Sequence, residues 1–127
     1  MEKSLWEKSI EFHGHECPGL AIGFRACEIA EEFFELDFYE QDEMVCISEI
    51  ETCPVDAIRF VAGCNEEKGN LIINKTGNPA FSFRDNESGR SVRLVFKGVE
   101  ESLSKEEKKN LILNAPKEEI FWIQEII

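Results

Sequence analysis

Residues 12–26, FHGHECPGLAIGFRA, bring the only two histidines of a 127-residue chain to within four positions of a cysteine. His13, His15 and Cys17 alternate along the chain, so in an extended segment all three side chains share one face. Imidazole and thiolate are the donors preferred by zinc and related transition metals, and three of them on one face make a ligand set with a position left for exchange. His13 is the weaker of the two histidines, because Trp6, Ile10 and His13 also fit one helical face and simple packing would account for it.

A second cysteine repeats the local pattern. Cys17-Pro18 and Cys53-Pro54 both place a thiol just before a proline suited to open a helix. Unpaired backbone N–H groups and the helix dipole at such an entrance favour a thiolate, the form that acts as nucleophile and as metal ligand. Cys53 is therefore expected to join His13, His15 and Cys17 on the metal. Asp56 falls in the first turn of the same helix, either as an orienting acid or simply where an anion is favoured. A straight helix at about 1.5 Å per residue puts Cys64 roughly 16 Å from Cys53, too far to share one ion. Cys27 and Cys46 sit on apolar faces and are expected in the core.

These residues also permit other chemistry. Cys53 or Cys17 would serve as a nucleophile with His15 as general base and Asp56 orienting it. A metal carrier or sensor without catalysis would use the same donors. Arg25, on the polar face of its helix, is either a cofactor contact or an ion-pair partner for a nearby glutamate. Lys68-Gly69-Asn70 is either a ligand-contacting loop or a plain turn.

The totals narrow the setting. Twenty-six acidic against fourteen basic side chains give a net charge of −12, a surface that repels nucleic acid and anionic lipid. No apolar run approaches the ~20 residues needed to span a bilayer, and the charged amino terminus does not read as a signal peptide. Five cysteines without framework spacing suit reduced thiols in the cytoplasm. At 43% hydrophobic residues, one globular domain over 1–127 is expected.

The elements that must position the donors follow from capping and periodicity. Ser4 and Glu7 form a capping box for a helix over 5–12, and Pro18 opens a second reaching about 36. Leu20, Phe24, Cys27 and Phe34 give that second helix an apolar stripe, broadened by Ile22, Ala26, Ile29 and Phe33. A strand over 44–51 and a helix over 54–63 come next. Segments 70–74, 79–83 and 91–96 read as a three-stranded meander. Ser104 and Glu107 cap a helix to about 114, and the tail after Pro116 leans to strand. The order makes an α+β fold with helices packed on a sheet.

FHGHECPGLAIGFRA, CPVDAIRFVAGC, KGNLII and GNPAFSF, in that order, resemble the E-subunit family of formylmethanofuran dehydrogenase across residues 10–97. The resemblance implies a mixed sheet like that of the second domain of glyceraldehyde-3-phosphate dehydrogenase, a metal-binding cleft and a homodimer. It also implies association with molybdenum or tungsten formylmethanofuran dehydrogenase, at the first step of methanogenesis from carbon dioxide, and so an indirect link to molybdopterin. Carried residue by residue, it assigns His13, His15 and Cys17 to the first motif and Cys53, Asp56 and Cys64 to the second. Lys68, Gly69 and Asn70 match its lysine-glycine-asparagine loop. The chain departs at Asn65-Glu66-Glu67 and at Gly77-Asn78, which add acid and remove a lysine on one rim. Some members carry a carboxy-terminal zinc finger, and none is expected from the residues after Pro116.

Overall fold

The computed structural model describes residues 4–38 and 43–126. Helix α1 (Leu5–His13) starts at the Ser4 capping box and ends where Gly14 takes a left-handed φ of 103°. That turn separates α1 from α2 (Pro18–Phe34), whose N-cap is Cys17. Strand β1 (Met44–Ser48) leads to α3 (Cys53–Ala57), which widens without interruption into a π-helical turn over Ile58–Ala62. Then come β2 (Leu71–Ile73), β3 (Ala80–Asp85), β4 (Ser91–Phe96), α4 (Lys105–Asn114), the single turn α5 (Lys117–Ile120) and β5 (Phe121–Ile126).

The fold is α+β, with a mixed five-stranded sheet in the order β2-β1-β3-β4-β5. β1 and β2 pair in parallel, with Cys46 opposite Leu71, and every other pair is antiparallel. This order corrects the expected meander of 70–74, 79–83 and 91–96. The helical crossover through residues 53–62 returns the chain to the same end of the sheet, so β2 lies parallel to β1 on its outer side. The chain then passes the end of β1, where Thr76 and Gly77 donate backbone hydrogen bonds to the Glu49 carbonyl, before β3 pairs on β1's other side. The strand expected over 44–51 stops at Ser48.

The α2 stripe is buried as its periodicity requires: Leu20, Phe24, Cys27 and Phe34 join Met44, Cys46, Phe81, Phe83, Val92 and Leu94 of the sheet in one core. Complete burial of side chains such as Phe81, Phe83 and Leu94 stabilises by about 1.5–3 kcal/mol each. The alternate positions face outward. Ile72, Ile47, Ser82, Arg93 and Gln124 form one cross-strand row, and Ile47, Ile72 and Trp122 are exposed.

Candidate metal centre

The donors come from three elements that sequence separates and packing joins. His13 is the last residue of α1, His15 lies in the loop after the Gly14 turn, Cys17 caps α2, and Cys53 opens α3. The segment is thus not the extended strand that alternate spacing suggested; a helix end and a left-handed glycine bring His13 and His15 together, with ring centroids 4.3 Å apart. One donor atom from each of His13, His15, Cys17 and Cys53 lies within 4.8 Å of all the others. Around a tetrahedral ion with bonds of about 2.0–2.3 Å, donors stand about 3.3–3.8 Å apart. Cys17 Sγ and His13 Nε2, at 3.8 Å, already stand at the upper end of that range.

His13 is oriented as a ligand. Its Nδ1 donates to Asp56 Oδ2 at 2.7 Å, because an ionised carboxylate only accepts, and Nε2, the nitrogen left to bind an ion, faces Cys17. Partial burial works to raise Asp56, but hydrogen bonds from His13 and Arg59 outweigh it and hold the carboxyl below its ordinary range. The His13 side chain is only 9% exposed. His15, by contrast, is exposed.

Cys17 behaves as the sequence suggests: its sulfur caps α2 by accepting from the Leu20 N–H at 3.4 Å. Cys53 does not. Thr52 is the N-cap of α3, and Cys53 is the first helical residue. Partial burial and the adjoining Cys17 thiol push Cys53 up rather than down. Two thiols facing each other in a half-buried site oppose simultaneous ionisation, and a cation between them relieves that opposition. The donor chemistry therefore fits a transition-metal ion better than it fits a free nucleophile.

The model of the FmdE family (Molybdenum formylmethanofuran dehydrogenase operon) matches residues 12–125, a span that starts at the histidine segment and runs into β5. The chain belongs to this family. A solved structure from Syntrophus aciditrophicus, of a tungsten formylmethanofuran dehydrogenase FmdE-like protein, has the same fold. The two superpose with a TM-score of 0.63 over 94% of this chain and 68% of that one, at 22% identity. A curated relative from Archaeoglobus fulgidus, a probable S-adenosyl-L-methionine-binding protein, is 30% identical over 94 residues. That match takes in 68% of this chain and 25% of the relative, so the FmdE chain spans about a quarter of that relative's length.

The remaining positions matched to FmdE motifs lie apart from the four donors. Cys64 is fully buried and its thiol donates to the Met44 carbonyl at 3.5 Å. Asn70 donates to the same carbonyl at 3.2 Å and to the Gly63 carbonyl, and it accepts from the Asn65 N–H, which staples the π-helical exit to β1. Lys68 is exposed in the turn between them. The Arg25 guanidinium donates to the Ile112 carbonyl at 3.0 Å, joining α2 to the last turn of α4.

Four residues without an assigned role build the site. A Cβ on Gly19 would stand 2.9 Å from Cys53 Cβ, and one on Gly23 would stand 2.1 Å from the Pro54 carbonyl oxygen. The two glycines, four apart on one face of α2, let α3 approach closely enough for Cys53 to reach Cys17. Gly23, in the interior of α2, costs about 1 kcal/mol relative to alanine, so a glycine kept there was the legible signal of close approach. Lys109 of α4 bonds Glu16 at 3.0 Å and Glu106 at 2.8 Å, tying the loop between His15 and Cys17 to α4. Arg59 donates to Asp56 at 2.9 Å. No spacing rule joins Lys109 to Glu16, 93 positions away.

Proposed function

We propose that this FmdE chain is a metal-binding accessory protein of a molybdenum or tungsten formylmethanofuran dehydrogenase-like system, linked to molybdopterin only through that partner. Its own ion is zinc or a similar transition metal held by His13, Cys17 and Cys53, with His15 as the fourth donor. The observation that carries this reading is the His13–Asp56 bond, which aims Nε2 at the thiol of Cys17. His13, Cys17 and Cys53 are half-buried while His15 is exposed, so His15 is the donor that yields to an incoming thiolate, water or pterin-type ligand. Phe12 and Phe60, neighbours in sequence of His13 and Arg59, pair at 5.4 Å with Phe12 exposed, a surface suited to a flat ligand.

The same assignment extends to the setting. The outward apolar residues Ile47, Ile72 and Trp122 on the sheet supply a face for a homodimer. All five cysteines are unpaired, as suits the cytoplasm. Among the described residues no helix is long and apolar enough to cross a membrane. A bound ion would supply Lewis acidity and ligand exchange, with exposed His15 as the exchangeable donor.

Elemental analysis of anaerobically purified protein, on wild type and Cys17→Ala in parallel, tests the reading. About one transition metal per chain, absent from the variant, is the expected result. Wild type that holds no metal even after reconstitution overturns it and returns Cys53 and Asp56 to the thiol-nucleophile alternative.

A further inference from the structure

Behind His13 stands a chain of charge that ends in solvent. Asp56 accepts from His13 Nδ1 on one oxygen and from Arg59 Nη1 on the other, at 2.7 and 2.9 Å. The guanidinium then forks onto Glu66, with Nη2 to Oε2 at 2.6 Å and Nε to Oε1 at 3.2 Å. Side-chain exposure stays low from His13 at 9% through Asp56 at 29% and Arg59 at 27%, then rises to 53% at Glu66. Arg59 lies in the π-helical turn, and from there one planar side chain reaches a carboxylate three residues before it and another seven residues after it. A bidentate arginine fixes a carboxylate in its plane in a way a point charge does not.

We propose that Arg59 and Glu66 are positioning residues of the metal centre, holding Asp56 in the one orientation that keeps His13 Nε2 aimed at the ion. The inference rests on the metal-binding reading above and adds to it a control of affinity from outside the donor set. Asp56 without Arg59 retains its charge but loses the bond that fixes its second oxygen, so the His13 ring gains freedom to turn. Glu66 acts one step further out: without it the guanidinium keeps one partner and the fork is lost. Loss of an outer-shell partner of a metal-bound histidine typically weakens binding by 10–100-fold.

The test is Zn(II) affinity by chelator competition, with the Co(II) absorption spectrum as a second readout, on wild type, Arg59→Met, Arg59→Lys and Glu66→Gln. Folded fraction is checked by circular dichroism before each titration. Arg59→Met is expected to weaken Zn(II) about tenfold and to shift the Co(II) ligand-field bands. Arg59→Lys is expected to recover part of the affinity but not the wild-type spectrum, because an ammonium cannot fork. Glu66→Gln, a change on an exposed side chain that leaves the fold intact, is expected to weaken Zn(II) about threefold, in keeping with its place one step beyond Arg59. Folded Arg59→Met and Glu66→Gln proteins that bind Zn(II) within about twofold of wild type, with an unchanged Co(II) spectrum, overturn the positioning role and leave the metal reading standing. Wild type that binds neither ion overturns both.

Discussion

Five cysteines divide between two regions that treat the same side chain in opposite ways. Cys17 and Cys53 stand at helix starts, half-buried, with imidazoles and backbone N–H groups around them. Cys27, Cys46 and Cys64 are fully buried under α2 and the sheet. Burial pushes the Cys27 and Cys46 thiols well up and takes Cys64 to about 12, so none of the three ionises at neutral pH. What separates the regions is access to water and to donors, not sequence context: Cys64 lies only eleven positions after Cys53, and the intervening helical turns carry it from the surface into the core. A thiol stays available as a donor where the fold leaves it polar company, and is a small apolar side chain where it does not.

The widest expected gap between the two regions is in alkylation. In metal-free protein Cys17 and Cys53 should react directly, while the three core thiols wait for unfolding and react at least about a thousandfold more slowly. Mass spectrometry of partly alkylated protein measures it; labelling of Cys27 at a comparable rate would erase the distinction. Next in size, Cys53→Ala should weaken Zn(II) binding by at least about 100-fold, while Cys46→Ala keeps the metal and costs about 1–2 kcal/mol in a denaturant titration. Gly23→Ala should cross the boundary between the regions. Its methyl group has no room beside the Pro54 carbonyl, so α3 must retreat, with about 2–3 kcal/mol of stability lost and metal binding weakened together.

The smallest effect belongs to a scaffold pair away from both sets of thiols. The Arg93 fork chiefly, against a cost of burial and with help from Thr76 and Asn78, lowers Glu49 from 4.5 to about 2. A carboxyl lowered in the folded state contributes stability above its ordinary value and loses it as pH falls towards the folded one. Wild type should therefore lose about 1–3 kcal/mol from this pair between pH 4.5 and about 2, and Arg93→Met should lose most of that slope, Thr76 and Asn78 keeping the remainder. The metal, whose donors must be deprotonated, should leave at higher pH than this window. Acid titration followed by both metal release and circular dichroism would separate the two events, and their coincidence would join site and scaffold into one transition.

Much of the scaffold was legible because local rules decide it. Both serine capping boxes, the prolines at 18 and 54 and the Gly63 stop are where the helices begin and end. The apolar stripe of α2 is buried, and the tail forms β5. The strand order was not legible, since β2 satisfies the same short apolar pattern on either side of β1 and only the crossover decides. The gathering of His13, His15 and Cys17 was anticipated for a reason that does not hold. They meet through a left-handed turn at Gly14 rather than along a strand. His13, which packing alone would have explained, is instead the donor with the most defined orientation.

Residue chemistry is local, and the sequence by itself therefore determined the donor types, the helix entrances that hold two thiols, and the membership in one family. Contacts between distant segments belong to packing. Only the tertiary structure decided that Asp56 answers His13 across 43 positions, that Gly19 and Gly23 let Cys53 reach Cys17, and that Cys64 is lost to the core. These outcomes depend on how closely two backbones approach, and close approach is a property of faces that meet in space rather than of neighbours along the chain.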